Sequence, residues 1–251
     1  MNHARLHTLE LCAGYGGLGM GVKLARPDAR VVAMVEREAA CVQVLASRME
    51  EGLLDPAPIF SDVCSFDGRP WAGAVDLISA GIPCQPWSTA GKRAGFDDER
   101  HLGEELVRIV GEVGPRYVFV ENVPGFIRLG APDLLGRLAD LGFDAEWGVL
   151  SSCTFGSPHP RRRMFMLAHS RREREGWSEP GRRERSRWSG APDLDGARKA
   201  FRGPTRPCQV GTLDAPAGWL DRCRSLGNGV DPLVAAHAWL SLSQRITAQG
   251  T

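Results

Sequence analysis

Short apolar segments that resemble β-strands alternate along this chain with segments whose apolar residues recur at helical spacing. Strands are predicted at residues 7–12, 30–35, 59–60, 75–80, 116–120, 143–150 and 163–168. Helices are predicted between them at residues 18–25, 39–49, 102–113 and 133–141. Because repeated strand-helix-strand units build parallel sheets with helices on both faces, this order predicts an α/β fold with a doubly wound, mostly parallel sheet.

Chemically functional residues follow five of the predicted strands at the points where they end. Gly14, Glu36 and Asp62 follow the first three strands, and Cys84 and Glu121 follow the fourth and fifth. The carboxyl ends of parallel strands lie along one edge of a sheet, and open α/β sheets bind their ligands there. We therefore expect these five residues to lie along one edge of the sheet.

The composition excludes several classes of protein. With 251 residues, 43% of them hydrophobic, the chain can bury a full core, and its net charge of +1 means that any nucleic-acid surface must come from local clustering. Its seven cysteines include no CxxC pair, which disfavours a disulfide framework and a zinc site, so no metal is expected. No apolar stretch approaches the roughly 20 residues of a membrane span and no signal peptide is visible, which predicts a cytoplasmic protein.

A glycine-rich segment follows the first predicted strand. Residues 14–19, GYGGLG, match GxGxxG between a strand and a helix, and Glu36 lies 22 residues after Gly14. This pattern is typical of dinucleotide binding, and it also suits S-adenosylmethionine, because glycines admit a ligand to the backbone and the acid binds ribose hydroxyls. A tight turn without a ligand is the third interpretation, and the motif alone does not choose among them.

A second candidate site surrounds Cys84. Residues 81–88, GIPCQPWS, place this thiol between two prolines beyond the fourth predicted strand. The prolines restrict the backbone, whereas Gly91 and Gly95 allow the following loop to close over a substrate. A thiolate can add to an electron-poor ring carbon while the carboxyl group of Glu121, at the next strand end, protonates or hydrogen-bonds the ring nitrogen. A buried structural cysteine is the competing interpretation.

The composition changes after Ala168. Between Ser170 and Arg206 eleven basic residues outnumber six acidic ones, and Trp177 and Trp188 lie among them. Such a segment is either a solvated, loosely ordered insertion or a nucleic-acid contact surface with stacking residues, and its composition leaves both open. Beyond it, apolar residues between positions 230 and 241 recur at helical spacing and predict a last helix that packs back on the sheet.

Five segments, in this order, resemble the motifs of the DNA (cytosine-5) methyltransferases. Residues 9–17, LELCAGYGG, resemble the family's cofactor loop, and residues 81–88 resemble its nucleophile motif. The later motifs are matched by ENV at residues 121–123, PHPRRR at residues 158–163 and LGNGV at residues 226–230. The resemblance is specific and covers residues 9 to about 240. It implies a Rossmann-like fold of the S-adenosylmethionine-dependent methyltransferases. It also displaces the interpretation of the glycine-rich segment as a dinucleotide-binding motif.

The chain departs from the family pattern at several positions. Cys12 and Arg37 stand where aromatic residues often pack on the adenine, and His159 stands where glutamine is usual. Only about 50 residues separate Ala168 from Leu220, fewer than the usual target-recognition region, so the chain resembles the compact members found in phages and prophages. We expect modest cofactor affinity and a short or relaxed recognition sequence.

The resemblance implies transfer of a methyl group from S-adenosyl-L-methionine to C5 of a cytosine that is flipped out of duplex DNA. In that reaction the Cys84 thiolate adds to C6, and Glu121 holds N3 and the exocyclic amine as a proton donor. Arg161 and Arg163 hold the O2 side of the base and orient the acid. The structural alternatives are a simple salt bridge for Glu121 and a solvated charge run for residues 161–163.

The resemblance also assigns binding roles. Cofactor contacts are expected from Leu11, Cys12, Ala13, Gly14, Gly16, Gly17, Leu18, Glu36, Asp62, Val63, Pro83, Asn228 and Val230. DNA contacts are expected from Gln85, Ser88, Asn122, Arg182, Arg183, Arg185 and Arg187. Glu36 is assigned to the ribose and Asp62 with Val63 to the adenine, although a lone acid after a strand is more commonly a helix or turn cap.

These assignments divide the chain into three parts. Residues 1–169 form the catalytic and cofactor-binding domain, residues 170–217 a reduced target-recognition segment, and residues 218–251 a segment that packs back on the catalytic domain. We expect a monomer that acts on double-stranded DNA and not at a membrane, with a cognate restriction endonuclease as a candidate partner. Two alternatives stay open: a tRNA cytosine-5 methyltransferase of the same family, and an inactive homologue that binds DNA or another partner.

Overall fold

The structure is a computed structural model and describes residues 5–82, 102–155, 161–171 and 229–249. The strands in these ranges are β1 (Leu6–Leu11), β2 (Ala29–Val35), β3 (Ile59–Phe60), β4 (Leu77–Gly81), β5 (Tyr117–Asn122), β6 (Phe143–Ser151) and β7 (Arg162–Ser170). The helices are α1 (Gly17–Ala25), α2 (Ala39–Glu50), α3 (Gly103–Val113), α4 (Phe126–Leu129), α5 (Ala131–Asp140) and α6 (Pro232–Gln249). Short 3₁₀ turns lie at Arg69–Trp71 and Ser152–Phe155.

The strands form one sheet in the order β3-β2-β1-β4-β5-β7-β6. Neighbouring strands from β3 to β5 pair in parallel, whereas β7 is antiparallel to both β5 and β6. The strand order reverses between β1 and β4, which is the point where open α/β sheets bind ligands. The predicted doubly wound, mostly parallel sheet is therefore confirmed, with an antiparallel pair at one edge.

Helices cover both faces of the sheet. Leu106 of α3 and Leu134 of α5 belong to the core on one face, and Val22 of α1 and Trp239 of α6 belong to the core on the other. Central strands are apolar on both sides, as parallel strands between helical layers must be. Within the described part of the chain, no helix has both the length and the apolar character needed to cross a bilayer.

The start of β4 and the end of β5 differ from the prediction. β4 begins at Leu77 and not at residue 75, and just before it the carboxylate of Asp76 accepts the backbone N–H of His7 at 2.9 Å. β5 continues to Asn122 and does not end at residue 120, because β7 pairs with it as far as Asn122 opposite Met164. The sequence does not predict α4, since its single turn is too short to show a period.

The start of α1 lies directly against the segment that leads into α6. A Cβ atom added at Gly17 would overlap the backbone carbonyl oxygen of Val230 and lie 3.1 Å from its carbonyl carbon. Only glycine therefore allows the two segments to approach this closely. The contact joins the segment before α6 to the first residue of α1.

Gly17→Ala is expected to lower the free energy of unfolding by about 1–3 kcal/mol, the usual cost of inserting a methyl group into a filled site. Urea denaturation measures this change. Gly136→Ala is the matched control, because no atom of the described ranges lies within 4 Å of the Cβ position of this exposed residue of α5, and alanine there stabilises a helix by about 0.5–1 kcal/mol. A Gly17→Ala protein as stable as the wild type would contradict the close contact.

Candidate functional site

Four of the five predicted strand-end residues can be located, and they lie at one edge of the sheet. Gly14 is three residues beyond β1, Glu36 directly follows β2, and Asp62 lies two residues beyond β3. Glu121 lies within β5, near its end, and pairs with Gly81, the last residue of β4. Because β1 to β5 run parallel, these positions share the carboxyl edge as expected.

The glycine loop, residues 12–16, connects β1 to α1 through a tight turn. Gly14 and Gly16 have φ values of 54° and 74°, in the left-handed region that favours glycine. The N–H of Gly16 donates to the carbonyl oxygen of Ala13 at 2.8 Å and closes the turn. The Cβ position of Gly14 has no heavy atom within 4 Å among the described residues, so a ligand can approach the backbone there.

The carboxylate of Glu36 fastens the glycine loop to the end of β2. Its Oε2 accepts the N–H of Gly14 at 2.6 Å, and its Oε1 accepts the N–H of Glu38 at 2.8 Å. Asp62 plays a similar local role, because its Oδ1 accepts the N–H of Cys64 at 3.0 Å. Both acids therefore cap turns, which the sequence analysis gave as the alternative to cofactor binding. A carboxylate oxygen can accept more than one hydrogen bond, so both groups keep acceptor capacity for a ligand.

Cys12 lies close to these acids. Burial, with smaller contributions from the neighbouring Glu36, Cys64 and Asp62, raises the pKa of its thiol to about 12. The thiol is therefore protonated at neutral pH, and it is unsuited to nucleophilic chemistry, which needs the thiolate. Among the described residues no three His, Cys, Asp or Glu side chains form a group that could hold a metal ion.

A cavity of about 640 Å³ lies beside Asp62 at the β3 edge of the sheet. Its walls include Phe60, Phe66 and Trp71, whose ring centroids are 5.0–6.4 Å apart. The cavity combines flat apolar surface with a carboxylate, two features that suit an aromatic ring bearing an amino group. Sequence reasoning missed these rings, although they fall within 12 positions around a predicted binding acid.

Glu121 is a buried acid held by an arginine. It is 6% exposed, and its Oε1 lies 2.9 Å from the Nε of Arg163. Burial raises the pKa of Glu121 from an ordinary value of 4.5 to about 7, and the positive charges of Arg163 and Arg161 oppose the rise. Near neutral pH this carboxyl group can therefore either hold or release a proton.

The antiparallel pairing of β5 and β7 explains this contact. Glu121 pairs with Phe165, so Arg163, two residues away on β7, points to the same face of the sheet. The side chain of Arg163 is only 20% exposed, so it does not belong to a solvated charge run. The salt bridge that the sequence raised as an alternative for Glu121 does exist, and it orients the carboxyl group.

Asn122 does not share the face of Glu121. Successive residues of a strand point to opposite faces, and Asn122 is 1% exposed with its Oδ1 accepting the N–H of Val123 at 2.8 Å. The structure therefore does not bring these two side chains together. The contact of Asn122 with DNA stays a prediction.

The remaining predicted site residues fall into two groups. Leu11, Ala13, Leu18 and Val63 are buried, and Val230 lies against Gly17. Outside the described residues lie Pro83, Cys84, Gln85, Ser88, His159, Arg182, Arg183, Arg185, Arg187 and Asn228. The roles of this second group stay predictions.

A second buried acid, not predicted, lies beneath the start of α1. Glu10 is 1% exposed, and its Oε1 accepts the N–H of Gly19 at 3.0 Å. Burial raises the pKa of Glu10 to about 7, although the hydrogen bond from Gly19 opposes the rise. The signal in the sequence is a single acid between Leu9 and Leu11 in a predicted strand.

Comparison with known sequences finds one family and several relatives. The sequence model of the family described as "C-5 cytosine-specific DNA methylase" matches residues 6–189. The Type II methyltransferase M.NgoMIV of Neisseria gonorrhoeae is 33% identical over 166 residues, which cover 64% of this chain and 51% of that protein. The Type II methyltransferase M.NaeI of Lentzea aerocolonigenes is 32% identical over 173 residues, which cover 65% of this chain and 40% of that protein.

Comparison with solved structures finds the same fold. DNMT2 of Spodoptera frugiperda superposes with a TM-score of 0.55 at 24% identity, covering 70% of this chain and 52% of that one. The Dnmt2 methyltransferase of S. pombe superposes with a TM-score of 0.54 at 24% identity, covering 72% of this chain and 57% of that one. This chain spans about half the length, or less, of the curated relatives that it matches.

Proposed function

Because the chain belongs to the C-5 cytosine-specific DNA methylase family, we propose that it methylates C5 of cytosine in double-stranded DNA with S-adenosyl-L-methionine as methyl donor. One observation carries the proposal. The buried carboxyl group of Glu121, which forms a salt bridge with Arg163, lies at the edge where the strand leading to Cys84 ends. The Type II methyltransferase names of the relatives support DNA as the substrate.

The thiol and the carboxyl group start from neighbouring strands. Gly81 pairs with Glu121, and Cys84 follows Gly81 by three residues. Three residues span at most about 11 Å, so covalent connection alone keeps the two Cα atoms of Gly81 and Cys84 within that distance. A cytosine ring held between these strand ends would meet the thiol at C6 and the carboxyl group at N3.

In the proposed reaction the Cys84 thiolate forms a bond to C6 of a cytosine that has left the base stack. Glu121, in its protonated form, donates a hydrogen bond to N3 and transfers its proton there as the thiolate adds, which neutralises the charge that develops on the ring. Addition at C6 makes C5 nucleophilic. S-Adenosyl-L-methionine, when bound, supplies an electrophilic methyl group to C5. A base then takes the C5 proton, the thiolate leaves C6, and N3 returns its proton to Glu121, which restores the aromatic ring.

The pKa of Glu121 suits the role of donor. A carboxyl group with an ordinary pKa of 4.5 is ionised at neutral pH and only accepts hydrogen bonds, whereas a pKa of about 7 leaves a large protonated fraction. Arg163 orients the carboxyl group from 2.9 Å and limits how far its pKa rises. The charge of Arg161 acts on Glu121 in the same direction.

The described residues fit S-adenosyl-L-methionine at the glycine loop. Among the described residues the space at Gly14 is open, and it would admit a ligand to the backbone of residues 11–18, which is proposed to contact the methionine part. Glu36 keeps acceptor capacity for ribose hydroxyls, and Asp62 offers an acceptor beside the aromatic cavity for the adenine amino group. Pro83, Asn228 and Val230 are proposed to complete the site.

Contacts with DNA are proposed for the basic segment that follows β7. Arg182, Arg183, Arg185 and Arg187 supply positive charge for phosphate groups, and Gln85 and Ser88 are proposed to contact the flipped base. A cognate restriction endonuclease is the proposed partner, because the relatives are named as Type II methyltransferases.

Methyl incorporation into matched nucleic acids tests the function. The purified chain is given labelled S-adenosyl-L-methionine with duplex DNA, with the same duplex carrying 5-methylcytosine at every cytosine, or with tRNA. We expect label only in the unmodified duplex, and bisulfite sequencing of that product then reports the flanking bases. Label in tRNA alone would favour the RNA alternative. No label in either, together with no cofactor binding in calorimetry, would favour an inactive homologue.

A further inference from the structure

The glycine loop contacts an arginine that lies outside every motif. The Nη1 of Arg48, on α2, donates a hydrogen bond to the carbonyl oxygen of Tyr15 at 2.5 Å. The guanidinium carbon lies 5.9 Å from the centroid of the Tyr15 ring, and Nη1 lies 3.9 Å from the Sδ of Met20. One side chain therefore contacts the backbone of the loop, its only aromatic ring and the helix that follows it.

The end of α2 packs against the same loop. A Cβ atom at Gly16 would lie 3.0 Å from Cδ1 of Leu54 and 3.2 Å from Cδ2 of Leu45, so the loop backbone rests on these two side chains. The carbonyl oxygen of Arg48 accepts the N–H groups of Leu53 and Leu54 at 2.8 and 3.1 Å. These backbone bonds fix the position of Arg48, and they do not depend on its side chain.

The peptide group between Tyr15 and Gly16 is bonded at both ends. Its carbonyl oxygen accepts from Arg48, and its N–H donates to the carbonyl oxygen of Ala13 at 2.8 Å. A bond from a charged donor is stronger than one from a neutral donor, and hydrogen bonds in series strengthen one another. Glycines on either side leave the loop many other conformations. Arg48 therefore restricts a segment that its own sequence leaves free.

We propose that Arg48 is a positioning residue that holds the glycine loop, through the Tyr15 carbonyl oxygen, in the conformation that binds the methyl donor. This inference rests on the proposed use of S-adenosyl-L-methionine. Glu36 holds the other side of the loop through the N–H of Gly14, but that carboxylate is itself proposed to bind the ribose. When only a fraction of molecules has the binding conformation, apparent affinity falls by that fraction, so loss of Arg48 weakens binding without changing the chemistry.

Arg48→Met tests the role, because it keeps an apolar stem and removes the charge and the donors. The Kd of unreactive S-adenosylhomocysteine, measured by calorimetry, is expected to rise about tenfold to a hundredfold. The KM for S-adenosyl-L-methionine should rise in parallel, while kcat and the KM for DNA stay within about twofold. In the ligand-free protein, amide hydrogen exchange should accelerate at residues 13–17 and not elsewhere.

Arg137→Met is the matched control, because Arg137 forms surface ion pairs with Asp133 and Glu104 away from the loop. Arg48→Lys should recover part of the affinity, and Tyr15→Leu, which keeps the carbonyl group, should weaken binding less than Arg48→Met.

Unchanged affinity for S-adenosylhomocysteine in Arg48→Met, or faster exchange across the whole chain, would overturn the positioning role. A wild-type protein that binds this ligand but methylates no nucleic acid contradicts the proposed reaction alone, since the binding and exchange measurements still decide the role of Arg48.

Discussion

Replacement of Cys84 by serine is expected to reduce methyl transfer by more than about a thousandfold. A cysteine thiol ionises in part at neutral pH and its thiolate is strongly nucleophilic, whereas a serine hydroxyl stays protonated and attacks C6 poorly. Single-turnover incorporation of label into duplex DNA measures the loss. Affinity for S-adenosylhomocysteine should stay within about twofold, because the substitution removes the reacting atom and not the proposed cofactor contacts.

Cys153→Ser is the control for this substitution, because Cys153 is an exposed thiol on the turn at Ser152–Phe155. A duplex with 5-fluorocytosine adds a direct readout, since fluorine at C5 cannot leave as a proton and the adduct at C6 persists. The wild type and Cys153→Ser should form a complex that survives denaturant, and Cys84→Ser should not. Normal turnover by Cys84→Ser would remove Cys84 as the nucleophile.

The general fold could be predicted because the hydrophobic pattern reports burial. The apolar runs at residues 75–80 and 116–120 became the central strands β4 and β5, with Ile78 and Val118 buried on one face and Leu77 and Phe119 on the other. The strand-end residues followed from the same pattern, because the carboxyl edge of a parallel sheet is fixed once its strands are known.

Contacts that depend on pairing direction and helix packing could not be predicted. Arg163 reaches Glu121 across 42 positions only because β7 runs antiparallel beside β5. Asn122 faces away from Glu121 because β5 continues through both residues. The bond from Arg48 to Tyr15 depends on where α2 ends relative to the glycine loop. Local sequence encodes none of these three tertiary relations.

The pH profile of methyl transfer is expected to show a limb of kcat/KM that falls as pH rises through about 7. The pKa of Glu121 is raised from 4.5 to about 7, so the group is protonated and donates below that pH and is ionised above it. Glu121→Gln should remove this limb and lower kcat/KM by about a hundredfold or more at pH 6, because an amide donates a hydrogen bond but cannot transfer a proton. Glu104→Gln, at a side chain that is 63% exposed, should leave both the falling limb and the value of kcat/KM unchanged.

Arg163→Met separates Glu121 from other groups that titrate near neutrality. The charge of Arg163 lowers the pKa of Glu121, so its removal should raise that pKa and move the falling limb to higher pH. Arg162→Met, at the neighbouring exposed position, should leave the limb in place. A limb that stays at the same pH in Arg163→Met, or that persists in Glu121→Gln, belongs to another group. In that case the buried carboxyl group would not be the donor to the base, and the chemistry would need a different source for the proton at N3.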